Sequence, residues 1–252
     1  MDWDIIHIDE TDSTNCWLRQ HASEKGGSGA RWGRVVVAEH QTAGRGCGSN
    51  TWESERGSNL TFSALIHPHG VPAANQFILS MANALALKAA LDEYVENVTI
   101  KWPNDIYWQD KKICGTLIET TLRGSDIADC IFGTGINVNQ QLFVSNAPNP
   151  VSLCQILGRE VDREELLNKV LNHFAGFLAM LEQGEWERIR TSYRRQLYRL
   201  GQPHYYQIGP RRECCRLESV TDDGHLQLLR LSDDGCDDEL LSFAFKEVQF
   251  IL

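Results

Sequence analysis

Lys101-Trp102-Pro103-Asn104-Asp105, followed after a short gap by Lys112-Ile113-Cys114-Gly115-Thr116-Leu117-Ile118-Glu119, constrains this chain more than any other stretch. The pattern predicts two short strands, 98–102 and 113–119, joined by a turn at Gln109-Asp110-Lys111. Two lysines, an asparagine and an aspartate then sit at the ends of one hairpin, where they can hold an anion and a metal side by side. Lysines suit carboxylate or phosphate oxygens. Asp105 suits Mg²⁺, a hard cation usually bound through one or two carboxylates plus substrate phosphates. The combination points to nucleotide-dependent activation of an acid. The plainer alternative is a simple turn, since Pro, Asn and Asp are turn formers.

Three further segments carry related chemistry. Residues 38–52 form a small-residue loop after the strand-like 34–38. Gly44, Gly46 and Gly48 let backbone N–H groups approach an anion closely, and Arg45 adds a fixed charge with bidentate reach to carboxylate or phosphate. With few apolar anchors, residues 42–50 are expected to move when no ligand is bound. Near the start, Asp12-Ser13-Thr14-Asn15 precedes a helical run from Cys16 to His21, so Ser13 or Thr14 also reads as a helix N-cap. Downstream, Gly133-Thr134-Gly135-Ile136-Asn137-Val138-Asn139 follows the apolar Cys130-Ile131-Phe132, and on residue types alone it is a strand with a bulge.

In this order and with these separations, the four segments resemble the catalytic domain of the biotin protein ligases. The resemblance is strong from about Ile6 to Asn139. It is weaker toward Leu241-Ser242-Phe243-Ala244-Phe245-Lys246-Glu247-Val248, which resembles the last strands of that family's small C-terminal barrel. It implies an α+β fold, a mixed sheet flanked by helices of the class II synthetase type, with a small SH3-like β-barrel after it. It also implies ATP and Mg²⁺ as cofactors and biotin as substrate. By matching positions, Ser13, Thr14, Gln41, Gly44, Arg45, Lys112 and Gly115 would bind biotin. Gly46, Trp52, Asn104, Asp105 and Asn137 would bind ATP, with Trp52 on the adenine. Arg45, Lys101, Lys112 and Asp105 would be catalytic, Asp105 either binding Mg²⁺ or orienting the acceptor amine. One departure stands out: Cys47-Gly48 follow Gly46 where family loops carry at least one further arginine. A cation near the adenylate phosphate is therefore missing and the adenylate is expected to leak, unless Arg56 or Lys101 fills the gap or the loop is shifted by one residue.

The implied reaction follows from acyl chemistry. A carboxylate is a poor acyl donor, so it is joined to the α-phosphate of ATP, releasing pyrophosphate and leaving a mixed anhydride. A lysine amine on a biotin carboxyl carrier domain of a carboxylase then attacks the anhydride. Arg45, Lys101, Lys112 and Mg²⁺ would bring the two anions together by positioning and electrostatic stabilisation. Two rivals are a lipoate or octanoate ligase or transferase on a related fold and a non-catalytic biotin- or nucleotide-binding sensor. A lipoyl-type chain needs no partner for a ureido ring, so Ser13, Thr14 and Gln41 favour biotin.

Composition narrows the setting. With 252 residues there is room for a large domain, 1–199, and a small β domain, 200–252. The resemblance starts at Asp12, so a DNA-binding helix-turn-helix before it is not expected, and a net charge of −10 disfavours non-specific nucleic-acid binding. An acidic start and the lack of a spanning apolar run predict a cytoplasmic protein without membrane contact; a weak homodimer is left open. The eight cysteines show no CxxC pair and read as reduced thiols. Cys214-Cys215 with His225 and Cys236 match no zinc spacing.

Strands are expected at 3–8, 34–38 and 59–66 and before Asn137. Helices are expected at 73–94, 152–157, 163–181 and 186–197, the first with Phe77, Met81, Leu85 and Ala89 on its buried stripe. After Gly201-Gln202-Pro203 come short strands separated by turns at Thr221-Asp222-Asp223-Gly224 and Asp233-Asp234-Gly235.

Overall fold

The structure is a computed structural model that describes residues 2–21, 32–48, 50–145, 149–231 and 239–252. The second acidic turn, at 233–235, lies outside them. Seven strands form the first sheet: β1 Asp2–Thr11, β2 Trp32–Gln41, β3 Leu60–Ile66, β4 Val98–Lys101, β5 Asp105–Trp108, β6 Lys111–Arg123 and β7 Asp126–Ile136. Their order is β1-β2-β3-β7-β6-β5-β4, with β1 parallel to β2 and every other pair antiparallel.

Period-two alternation divides the apolar residues between the faces of this sheet. Val36, Leu65 and Ile131 pack with Leu18 of α1 (Thr14–His21) on one face. Val35, Val37, Ala64, Ile66 and Phe132 face the opposite way, into the main core. That core is filled by α2 (Phe77–Asp92) and α4 (Arg163–Glu182), where Phe174 meets Phe132 edge-on at 5.0 Å. α2 is buried nearly all round, because α4 and α5 (Trp186–Arg195) cover the side that the sheet does not. Its expected single apolar stripe is corrected accordingly: Phe77 and Ala89 are only half-buried, while Lys88 is buried and paired with Asp92 at 2.6 Å. The short α3 (Leu153–Leu157) starts on a capping box between Ser152 and Gln155.

The segment from Val98 to Glu119 contains three strands, not two. Asp105-Ile106-Tyr107-Trp108 is a strand of its own, folded back on β4 through the turn at Trp102-Pro103-Asn104 and on β6 through Gln109-Asp110. The turn expected at Trp-Pro-Asn-Asp is Trp102-Pro103-Asn104, so Trp102, expected in the strand, belongs to the turn, and Asp105, expected in the turn, begins β5.

The C-terminal sheet comprises β8 (Pro203–Ile208), β9 (Arg211–Val220), β10 (Leu226–Arg230), β11 (Glu239–Phe243) and β12 (Val248–Phe250), ordered β11-β10-β9-β8-β12. It is antiparallel throughout, consistent with the expected small C-terminal β domain, and among the described residues β11 and β12 do not pair. Its buried Tyr206, Cys215, Leu217, Leu226 and Leu228 belong to the same core as α2 and α4. Trp102 Nε1 donates to Gly224 O at 2.9 Å and Tyr193 OH to Pro103 O at 2.7 Å, tying the β4–β5 turn to α5 and the second sheet. No helix among the described residues is long and apolar enough to cross a membrane.

Candidate active site

A cavity of about 530 Å³ opens over the middle of the first sheet, and its floor is made of glycine. Gly115 on β6 faces Gly135 on β7, and Leu117 faces Gly133. A Cβ on Gly135 would lie 2.2 Å from the Trp52 ring, and one on Gly133 would lie 2.1 Å from Asn15 Oδ1. Real Cβ atoms do not approach so closely, so these glycines let an indole and an amide lie flat on the backbone. The expected bulge is absent at this point. β7 runs regularly through both glycines, and its one register irregularity against β6 falls at Thr121/Leu122.

At one end of the floor, the start of α1 supplies a polar network. Gln41 Oε1 accepts from the Thr14 backbone N–H at 2.8 Å and from the Thr14 hydroxyl at 3.0 Å. With its oxygen held twice, the amide leaves Nε2 as a donor without a partner among the described residues. The fully buried Ser63 hydroxyl lies 2.7 Å from Thr14 Oγ1 and 2.6 Å from Asn15 Oδ1, and Asn15 Nδ2 donates to Glu119 Oε2 at 2.8 Å. Thr14 is therefore not a side-chain cap; its hydroxyl is part of this network. Ser63, Asn15 and Glu119 are absent from the expected site. Asn15 and Glu119 stand in segments singled out above without a role given to them, and the only sequence signal of Ser63 is a polar residue at an alternate position of an apolar strand.

The other end is cationic. Lys112 Nζ lies 2.8 Å from Asp105 Oδ2 and 5.7 Å from the centre of the Trp52 ring. The Lys112 backbone is clamped independently: its N–H donates to Asn149 O, and its carbonyl accepts from Val151 N–H at 2.9 Å and Asn137 Nδ2 at 3.4 Å. Lys101 Nζ sits between the rings of Tyr107 and Phe250, at 5.3 and 4.9 Å. Burial lowers its pKa below the ordinary lysine value, with Asp105 opposing the shift. Arg45 Nη2 rests on Cys16 Sγ at 2.8 Å, and Asn104 Nδ2 donates to Thr116 O at 3.1 Å. Among the described residues Arg45, Lys101, Lys112 and Lys246 line the cavity with Asp105 as the one acidic side chain, so the side chains of the site are net cationic in an acidic chain.

The loop before Trp52 is better anchored than its composition suggests. Thr42 N–H donates to Thr11 O, Ala43 N–H to Asp12 O, Gly46 N–H to Asn50 O and Trp52 N–H to Gly44 O, each within 3.0 Å. Trp52 Nε1 is buried without a hydrogen-bond partner among the described residues.

Of the expected residues, Ser13, Thr14, Gln41, Arg45, Gly46, Trp52, Lys101, Asn104, Asp105, Lys112 and Gly115 line the cavity. Gly44 and Asn137 do not. Gly44 leaves room for the Trp52 carbonyl, 2.6 Å from where its Cβ would be, and buried Asn137 braces the Lys112 carbonyl from behind. Arg56 does not fill the gap in the loop: it pairs with Asp9 at 2.5 Å and Glu10 at 2.9 Å on β1. The residues present do not make a metal centre by themselves. Asp105 is engaged by Lys112, and no cluster of three or more His, Cys, Asp or Glu suited to a metal occurs among the described residues. Cys214 and Cys215 are neighbours on β9, and Cys236 lies outside the described residues.

The Biotin/lipoate A/B protein ligase family model matches residues 11–137. The chain is 32% identical over 226 residues to the biotin–[acetyl-CoA-carboxylase] ligase of Paracoccus denitrificans, covering 86% of this chain and 91% of that protein. It is 34% identical over 173 residues to the bifunctional ligase/repressor BirA of Bacillus subtilis, but spans only 51% of the length of that relative. The fold superposes on the biotin protein ligase of Aquifex aeolicus in complex with biotin and ATP with a TM-score of 0.77 and 27% identity, covering 98% of this chain and 99% of that one. The fold is thus shared with proteins of known family, and the chain belongs to the biotin/lipoate A/B protein ligase family.

Proposed function

We propose that this protein is an ATP-dependent ligase that converts biotin to biotinyl-5'-AMP and transfers the biotinyl group to a lysine of a biotin carboxyl carrier domain. The observation that carries this reading is the opposition of the two ends of one cavity. The Thr14–Gln41–Ser63–Asn15 network offers fixed donors and acceptors suited to a neutral cyclic urea. Arg45, Lys101 and Lys112 line the same cavity and supply cations suited to a carboxylate and a phosphate.

In the first half-reaction a carboxylate oxygen of biotin attacks the α-phosphorus of ATP and pyrophosphate leaves. Lys112 neutralises the approaching carboxylate, and Arg45 and Lys101 the phosphate, so two anions reach contact distance without mutual repulsion. Asp105 holds Lys112 in place beforehand. Trp52, flat on Gly135, presents a ring for adenine and an unsatisfied N–H that a ligand oxygen can accept. In the second half-reaction the deprotonated lysine amine attacks the acyl carbon, forming the amide and releasing AMP. Mg²⁺ would arrive on the nucleotide phosphates, and no step above depends on a protein-bound ion.

We further assign residues 1–199 to the catalytic unit and 200–252 to a smaller β unit, and place the protein in the cytoplasm with a carboxylase carrier domain as partner and no DNA. A lipoate-specific enzyme would leave the polar end of the cavity unmatched, at about 1–3 kcal/mol per unsatisfied buried group. The test is incubation of the purified protein with ATP, a carrier domain, and either radiolabelled biotin or radiolabelled lipoate. Biotin-dependent pyrophosphate release and carrier labelling are expected; labelling with lipoate alone would overturn the assignment.

A further inference from the structure

The loop reads Gly46-Cys47-Gly48 where the resemblance leads one to expect a further arginine, and the second sheet brings a cation to that place. Lys246 lies in the turn between β11 and β12, with a left-handed backbone at φ 77°. Its Nζ is 2.6 Å from the point that a Cβ on Gly48 would occupy. A side chain at position 48 would thus begin where the Lys246 ammonium now is, and Gly48, itself at φ 71°, leaves the space open.

The turn that aims Lys246 is held in two ways. Glu247 Oε2 accepts from Ala244 N–H at 2.8 Å and Glu247 N–H donates to Ala244 O at 3.2 Å, while the neighbouring Phe245 ring packs edge-on against Trp102 at 5.9 Å. Lys246 lines the same cavity as Arg45, Lys101 and Lys112 and makes no ion pair with a carboxylate of the described residues. An exposed ammonium over a net cationic cavity, with no ion-pair partner among the described residues, becomes favourable once an anion arrives.

We propose that Lys246 binds a phosphate of the nucleotide and of the acyl-adenylate, supplying from the C-terminal sheet the charge that the glycine loop lacks. The proposal rests on the ligase reading above and deepens it. The loop and the β11–β12 turn then close on one anion from opposite sides, and the second sheet becomes part of the active site. The wild type is accordingly expected to retain its adenylate, contrary to what the loop sequence alone suggests.

The test compares the full chain with Lys246→Glu, Lys246→Ala and the double variant Lys246→Ala/Cys47→Arg, which moves the charge back to the loop. ATP affinity is read by isothermal titration calorimetry without biotin. The KM for ATP and for biotin is read from pyrophosphate release, and escape of adenylate from labelling of an unrelated lysine-rich protein. Lys246→Glu is expected to weaken ATP binding by about tenfold or more, with a shallower salt dependence and increased bystander labelling. The KM for biotin should move by less than about twofold, and the double variant should recover most of the loss. Unchanged ATP affinity in Lys246→Glu, or equal loss for ATP and biotin, would overturn the role of Lys246. A wild type that binds ATP but releases no pyrophosphate with biotin would instead overturn the ligase reading.

Discussion

Replacing Lys112 with alanine separates its two contributions, one to the reaction and one to the fold. The side chain is 22% exposed and its partner Asp105 25% exposed. Exposed ion pairs are worth under about 1 kcal/mol, whereas removing one partner of a fully buried pair costs about 3–5 kcal/mol. At a quarter exposure the loss should be about 1–2 kcal/mol, discounted for solvent screening. At about 2–4 °C per kcal/mol for a chain of this size, Tm should fall by about 2–8 °C. The fold itself should persist, because Asn149, Val151 and Asn137 hold the backbone of Lys112, not its side chain. Adenylation should fall by about 10²–10³, the usual cost of removing a preorganised group from a developing anion. Asp105→Asn on the Lys112→Ala background should restore most of the Tm, since no uncompensated carboxylate remains, and none of the rate. Single-turnover pyrophosphate release and thermal unfolding read the two effects apart. Near-normal release from Lys112→Ala, or recovery of rate with Tm in the double variant, would show that Lys112 serves the fold alone.

Three further outcomes follow from the geometry. Ser63→Ala removes the hydroxyl shared by Thr14 and Asn15, so the KM for biotin should rise by about tenfold with little change for ATP, as steady-state pyrophosphate release will show; equal change for both substrates would refute a role specific to the polar end. Gly135→Ala drives a Cβ into the Trp52 indole and should cost about 1–3 kcal/mol, shift tryptophan emission and weaken ATP binding, whereas wild-type emission and affinity would contradict the glycine floor. Burial lowers the pKa of Lys101, so its charge is present below that lowered value and is lost as pH rises through it; the KM for ATP should therefore climb at a pH below the ordinary lysine range, and Lys101→Arg should move the rise upward.

Most of the cationic end was legible in the sequence because it is built locally. Lys101, Asn104, Asp105 and Lys112 fall within twelve residues, and the two turns that bring them together are written in Trp-Pro-Asn and Gln-Asp. The polar end was only half legible, since Thr14 and Gln41 lie in recognisable segments while Ser63 and Glu119 look like ordinary strand residues until β3 and β6 are placed beside α1. The stripe assigned to α2 was incomplete for a related reason: how much of a helix is buried depends on what covers its far side, and α4 and α5 come more than seventy residues later.

Lys246 marks the limit of local reading most sharply. A motif describes the charges that a loop carries, but a site requires only that a charge stand at a given point, whichever strand delivers it. The Cys47-Gly48 pair looks like a loss when read along the chain, and becomes an opening when the β11–β12 turn is placed against it. The same argument makes Gly48→Arg a poor repair. The new side chain would start 2.6 Å from the Lys246 Nζ on a backbone at φ 71°, so it must displace that ammonium and adopt a conformation costing about 1–3 kcal/mol. Gly48→Arg should therefore lower Tm and leave adenylate escape no better than in the wild type, whereas Cys47→Arg, without a positive φ, should be tolerated. Thermal unfolding and bystander labelling of the two single variants check this directly, and tighter adenylate retention by Gly48→Arg would show that position 48, and not Lys246, is where the site wants its cation.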